Sequence, residues 1–189
     1  MTDSSNTVKR LGQKGFTLVE LLIVVIILAI LAAIIVPQFG SSTEDANVST
    51  LKSNLSSMRN LIEVYYQQHG SRYPGAYLET DGTTAAAVGT CPAAFVAQMT
   101  MYTNQNGKTS GTKTAEFKYG PYLKAGSLPT NPMLDTNANA IICDVATVDL
   151  TTAVTATGAT GWKMYTGTGR LIANDGKTLK DGTTKTLDF

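Results

Sequence analysis

The hydrophobic pattern divides the chain into three stretches of different period. From Phe16 to Val36 runs FTLVELLIVVIILAILAAIIV, 21 residues that are apolar on every side of a helix and carry one charge, Glu20. At about 1.5 Å per residue this run is roughly 30 Å long, the thickness of a bilayer core. From Val48 the pattern changes: Val48, Leu51, Leu55, Met58, Ile62 and Tyr65 recur at spacings of 3, 4, 3, 4 and 3. That is one apolar stripe of an amphipathic helix, with Lys52, Asn54, Ser56, Arg59, Asn60 and Glu63 mostly off it. Gly70 after His69 is a stop signal. The pattern predicts one helix from about Phe16 to His69, roughly 80 Å long. A kink is expected at Pro37 and Gly40, because proline removes a backbone hydrogen bond and clashes with the preceding turn.

After Gly70 the texture turns to Gly, Thr, Asn and Ser with short apolar runs. Ser71 to Gly75 reads as a turn. Cys91 to Tyr102 has a helical pattern through Phe95, Met99 and Tyr102. Asn104 to Lys113 reads as an exposed loop, and Ala140 to Val145 as a short strand. Gly161 to Tyr165 and Arg170 to Ala173, joined by Thr166-Gly167-Thr168-Gly169, read as a β-hairpin. The expected class is α+β: a long N-terminal α-helical spine, its first half membrane-embedded, packed on a small antiparallel β-sheet. The expected segments are a leader at 1–15, a transmembrane helix at 16–36, its amphipathic continuation at 37–70, and a globular domain at 71–189.

Charge sets orientation and excludes several functions. Lys9, Arg10 and Lys14 against Asp3 make the stretch before the apolar run basic, so Met1 is expected in the cytoplasm and the C-terminal domain outside. Fifteen Lys and Arg against fourteen Asp and Glu give a net charge of +1, which supplies no field for nucleic acid. One histidine and two cysteines nearly exclude a His-rich metal site, a four-cysteine zinc site and most His-based catalysis. Three simpler readings of the apolar run compete. A buried core helix fails on its length and its apolar circumference. A secretory signal peptide would have a shorter apolar region and a small-residue cleavage site after it. A plain signal anchor fits length and orientation but gains nothing from Glu20. A carboxylate in an apolar helix costs about 2.5–3.5 kcal/mol at the membrane centre and less near its edge. No basic side chain lies within the run. One candidate partner is a free α-amino group, created by cutting before Phe16, one helical turn from Glu20. The carboxylate could also reach the terminal amine of a neighbouring subunit.

Lys14-Gly15-Phe16-Thr17-Leu18-Val19-Glu20, followed by the apolar run, resembles the prepilin signature of type IV pilins and type II secretion pseudopilins. Gly15 precedes the cut, Phe16 follows it, Glu20 is the fifth mature residue, and Pro37 falls where the family places its proline. The resemblance implies that a membrane prepilin peptidase cuts between Gly15 and Phe16 and N-methylates Phe16. It further implies a helical filament of identical copies, with Glu20 and Phe16 as the inter-subunit contact. The implied partners are the peptidase, an inner-membrane assembly platform with its ATPase, minor pilins or pseudopilins, and membrane lipid before assembly. The implied location is the bacterial inner membrane as a single-pass precursor, then a periplasmic pseudopilus or a cell-surface filament. Tyr119 to Lys124 (YGPYLK), Leu128 to Pro132 (LPTNP), Gly161 to Tyr165 and Gly169 to Asn174 are loosely similar to major pseudopilins of the G type. Thr80 to Phe117 departs from a short pseudopilin. The expected function is therefore a filament subunit for type II protein secretion, with a surface type IV pilin for adhesion or motility as the alternative. A non-polymerising membrane-anchored binding protein is a distant third.

The remaining candidate residues have plainer readings beside their functional ones. Cys91 and Cys143 both fall in the part expected outside the membrane, where an oxidising compartment favours pairing; two unpaired buried cysteines are the alternative. Similar pseudopilins hold a calcium ion in a C-terminal loop, and Asp135, Asp144, Asp149 and Asp175 supply suitable oxygens. No EF-hand spacing is present, so solvated loop acids are the preferred reading and no metal or cofactor is assigned. His69 is expected to interact with the helix dipole. Tyr65, Tyr66, Tyr73, Tyr77, Tyr119 and Tyr122 are expected to pack spine against sheet. Gly167-Thr168-Gly169 lacks the residues of a phosphate loop. No nucleophile–base pair or metal cluster points to an enzyme.

Overall fold

The computed structural model describes residues 16–149 and 151–189, and from 36 to 42 the backbone alone. The chain divides after Glu44 into two compact units. Helix α1, Leu18–Gln68, is 51 residues long and contributes to both.

In the first unit every side chain from Phe16 to Ile35 is exposed. Leu18 is 88% exposed and even Ile35, the most covered of the large ones, is 44% exposed. Leu18–Ile35 is long and apolar enough to cross a membrane. Uniform exposure of apolar side chains is what the aperiodic pattern dictates: with no polar face there is no side to turn toward water, and only lipid or other apolar helices can cover it.

The second unit, Asp45–Phe189, holds the core. The 3.6-residue stripe of α1 buries Leu51, Leu55, Met58, Ile62 and Tyr65, each 2% exposed or less, while Val48 at its start is half-buried. Against it pack Cys91, Phe95 and Met99 of α2 (Cys91–Thr100), whose first turn carries Pro92. Proline fits there because its missing N–H is one that a helix leaves unpaired. Two residues of β1 (Tyr102–Thr103) pair with β2 (Thr109–Ser110), so a small hairpin stands where the sequence predicts only an exposed loop. The Asn104 side chain closes it, accepting from the N–H groups of Asn106 and Lys108 at 3.0 Å each. Three further strands, β3 (Ile141–Asp144), β4 (Trp162–Tyr165) and β5 (Arg170–Ala173), form a sheet in that order.

The hairpin β4–β5 is antiparallel, with Trp162 opposite Ala173 and Tyr165 opposite Arg170. Its turn closes through Gly169, at φ +74°, whose N–H donates to the Tyr165 carbonyl at 2.8 Å. Strand β3, however, runs parallel to β4, so the sheet is mixed rather than antiparallel throughout. Residues 145–161 provide the long crossover that a parallel pair requires, returning the chain to the starting end of the sheet. Part of this crossover lies over β4: the buried Lys163 ammonium donates to the Thr155 carbonyl at 3.1 Å, and the Thr155 N–H donates to the Tyr165 hydroxyl at 3.0 Å.

The phrases singled out in the C-terminal half hold these parts together. Trp162 donates its indole N–H to the Pro129 carbonyl at 2.8 Å. Asn131 is fully buried and donates to the Gly161 carbonyl at 3.0 Å and to the Asp175 carboxylate at 2.7 Å. Tyr122 meets Tyr65 edge-on at 5.5 Å. Cys91 and Cys143 are joined by a disulfide with a Cα–Cα distance of 6.1 Å, tying the start of α2 to β3.

Candidate functional site

The chemistry of the first unit is concentrated at the start of α1. Thr17 immediately precedes the first helical residue, and Glu20 is the third residue of the helix. The Thr17 hydroxyl accepts from the Glu20 N–H at 3.2 Å. In return, the Glu20 Oε2 accepts from the Thr17 N–H at 2.9 Å and from the Thr17 hydroxyl at 2.8 Å. This is a capping box: two backbone donors that a helix start leaves unpaired are satisfied reciprocally. The carboxylate also sits at the positive end of the helix dipole. Glu20 therefore has a partner within its own chain, which the sequence reading sought only in an amine. The signal was present as Thr-x-x-Glu ahead of an apolar run.

Phe16 is 80% exposed beside this cap. Gly15 and the rest of the leader, Met1 to Gly15, lie outside the described residues. Pro37 and Gly40 fall inside the continuous helical assignment of α1, and their side chains lie outside the described residues.

The four acids considered for calcium do different jobs. Asp144 accepts from the N–H groups of Thr147 at 2.9 Å and Ala146 at 3.2 Å, with the Lys163 ammonium 3.9 Å away. A bound cation at Asp144 would meet that ammonium. Asp149 closes a turn onto the Thr151 N–H at 2.8 Å. Asp135 is exposed. Asp175 corrects the expectation of a solvated loop acid: it is 6% exposed and accepts from Asn131, from the Lys177 N–H at 2.8 Å and from the Thr186 hydroxyl. It holds the segment after β5 onto the loop at 131. Among the described residues no three metal-ligating side chains converge.

His69 likewise differs from expectation. It is buried, stacks on Tyr65 with ring centroids 3.7 Å apart, and bonds through Nδ1 to the Tyr65 carbonyl at 2.8 Å and through Nε2 to the Thr103 hydroxyl at 2.9 Å. Burial pushes its pKa below the ordinary histidine value, partly opposed by the carbonyl bonds, so the neutral ring is favoured and dipole stabilisation of a cation is not its role. The tyrosines around it pack as expected: Tyr66 stacks on Tyr73 at 4.4 Å, Tyr119 lies 5.2 Å from His69, and burial raises the Tyr122 hydroxyl to about 12.

Comparison with known proteins agrees with the geometry in two steps. Residues 10–36 match the prokaryotic N-terminal methylation motif, which takes in the undescribed junction before Phe16, the cap and the exposed helix. Among similar proteins, type II secretion system core protein G of Pseudomonas aeruginosa is 40% identical over 57 residues, 30% of this chain and 40% of that protein. The type IV major fimbrial protein FimA of Dichelobacter nodosus is 51% identical over 51 residues, 27% of this chain and 33% of that protein. A fimbrial protein of Neisseria meningitidis is 41% identical over 63 residues, 33% of this chain and 36% of that protein. The chain thus spans well under two thirds of the length of these relatives. No solved structure matches it at a significant level. The motif and the relatives support the pilin and pseudopilin family, and with it a pilus-like subunit. The motif and the apolar helix also fit membrane anchoring as a precursor.

Proposed function

We propose that this chain is the structural subunit of a helical filament, cut before Phe16, N-methylated there, and polymerised through the helix that follows, in the service of type II protein secretion. One observation carries the proposal: Phe16 to Ile35 expose apolar side chains all round a capped helix, with no covering group among the described residues. Such a helix is stable in lipid. It is equally stable among copies of itself, which is how a membrane precursor passes into a filament without exposing the surface to water. On this reading the precursor sits in the inner membrane with its C-terminal unit in the periplasm. An assembly platform and ATPase lift subunits out, and each Glu20 pairs with the Phe16 amine of a neighbour. The pairing serves register, because an unpaired carboxylate in an apolar filament core is heavily penalised.

A surface type IV pilin is the second reading, favoured by the 51% identity to a fimbrial protein in the matched segment. Intact-mass and N-terminal peptide analysis of membrane fractions tests the shared part: the mature chain is expected to begin at N-methyl-Phe16. A mature protein that keeps residues before Gly15, or is cut after Val36, overturns it. Deleting the gene and following both exported enzymes and surface filaments separates the two readings, since loss of export with surface filaments unchanged is the secretion outcome.

A further inference from the structure

The turn between β1 and β2 carries the sole Asn-Gly pair of the sequence, Asn106-Gly107. In such a pair the glycine nitrogen can attack the asparagine side-chain amide, because glycine has no Cβ to shield that nitrogen and its backbone turns freely. Asn106 is exposed, and its side chain makes no hydrogen bond among the described residues. The Asp-Gly pairs, which could react in the same way, are differently placed. The Thr84 hydroxyl, with the N–H groups of Thr83 and Thr84, holds the Asp81 carboxyl down to about 2. Thr184 and Thr183 hold Asp181 down to about 2 in the same manner. An ionised carboxylate repels a nitrogen nucleophile. Asp175 is buried under bonds from Asn131, Lys177 and Thr186. Of these four pairs, only Asn106 offers an exposed, neutral and unbonded carbonyl carbon.

The fold holds the nucleophile away from that carbon. The Gly107 N–H donates to the Asn104 carbonyl at 3.0 Å, and the Gly107 carbonyl accepts from Nε2 of the buried Gln98 at 3.0 Å. The Asn106 carbonyl lies against Gly82, where a Cβ would stand 2.6 Å from its oxygen. The Asn104 side chain fixes the flanking N–H groups of Asn106 and Lys108. The peptide plane between Asn106 and Gly107 is therefore held at both ends. For the Gly107 nitrogen to face the Asn106 Cγ, that plane must rotate and these bonds must break, which is a local opening of the turn.

We propose that Asn106 is a site of spontaneous deamidation, gated by opening of the β1–β2 turn. In the open turn the Gly107 nitrogen gives its proton to hydroxide and bonds to the Asn106 Cγ. The bond from Cγ to the side-chain nitrogen breaks and ammonia leaves, its added proton taken from water. A water molecule then opens the succinimide ring, leaving aspartate or isoaspartate in place of the asparagine. One water is consumed and one ammonia released, with no change of oxidation state. The isoaspartyl product adds a methylene to the main chain beside a glycine with no room to spare: a Cβ on Gly107 would stand 2.6 Å from the Tyr65 hydroxyl. The modified turn cannot close as before, so the modification records past opening.

The test incubates the full-length processed chain in detergent micelles in mildly alkaline buffer, folded and in urea. Peptide mapping follows the exchange of the Asn106 amide for a hydroxyl and separates the two products. The folded wild type is expected to react at least tenfold more slowly than the unfolded chain, by the same factor that slows hydrogen exchange at the Gly107 amide. Asn104→Ala, which removes the acceptor for two turn N–H groups, is expected to react at least threefold faster than the wild type while keeping its thermal transition. Asn104→Asp, which keeps that acceptor, is expected to stay near the wild-type rate. The exchange comparison needs no substitution, so it decides the matter even if Asn104→Ala fails to fold. Equal rates in folded and unfolded wild type, or a slowing that does not match the exchange at Gly107, would overturn the gating. No reaction at Asn106 in urea would overturn the site. An isoaspartyl chain with full exchange protection at Gly107 would overturn the loss of closure.

Discussion

Reducing the Cys91–Cys143 bond should weaken the second unit by an amount that can be worked out from the fold. The bond closes a loop between residues 52 apart in sequence, which in the chain-entropy description removes about 4 kcal/mol of disorder from the unfolded chain. Cys91 is fully buried and Cys143 is 6% exposed, and both belong to the same core as Phe95, Trp162 and Met164. That core surrounds the sulfurs in the reduced protein too, so most of the loss should come from the unfolded state. For a unit of this size, 4 kcal/mol corresponds to a fall in melting temperature of roughly 10–15 °C. Urea unfolding of the oxidised and reduced wild type measures the effect, beside a Cys91→Ala, Cys143→Ala double variant. The midpoint should fall and the denaturant slope should rise, because an uncrosslinked unfolded chain exposes more surface. Removal of the leader should be unaffected. If reduction changes stability by less than about 1 kcal/mol, the loop-closure reasoning is wrong and packing alone sets the stability of the unit.

Gly169→Ala should destabilise the second unit by about 1–3 kcal/mol in the same assay, since a Cβ there would lie 2.3 Å from the Tyr73 ring at a φ of +74°; a neutral effect would contradict the turn geometry of β4–β5. For His69 the folded state disfavours the imidazolium, so the unfolded chain binds more protons below its ordinary pKa of about 6.5. Stability should therefore be fully present above that pH and be lost as pH falls toward the lowered folded value, a slope that His69→Gln should remove; a wild-type midpoint flat from pH 7 to pH 5 would refute it.

Much of this was legible because it depends on periodicity. The aperiodic run from Phe16 to Val36 and the stripe from Leu51 to Tyr65 each admit one environment, and the structure assigns exposure to the first, over its described side chains, and burial to the second. The strands were also legible within a residue or so, as Ile141–Asp144, Trp162–Tyr165 and Arg170–Ala173. The direction of β3 was not, because the side-chain alternation of a strand is the same in parallel and antiparallel pairs, and only the crossover between β3 and β4 decides it. Buried polar residues were the least readable. Asn131, Asp175, Gln98 and His69 look like loop or helix-end residues in sequence, yet each is buried and satisfied by partners distant along the chain. The cap at Thr17 and Glu20 is the instructive case. Its signature, Thr-x-x-Glu ahead of an apolar run, is local and readable, while the membrane cost of the carboxylate points to an amine.

That cap also provides the most direct test of the assembly proposal. Glutamine at position 20 can keep the capping box, since its side-chain oxygen accepts from the Thr17 N–H as glutamate does, but it carries no charge to pair with a neighbour's amine. Alanine loses both. Each variant is expressed as the sole copy of the chain, with leader removal followed by immunoblot and filaments counted by electron microscopy. The expected result is that Glu20→Gln and Glu20→Ala both insert and are largely processed, yet both build few or no filaments. Wild-type filament numbers from Glu20→Gln would contradict the inter-subunit charge pairing and leave Glu20 as a helix cap only.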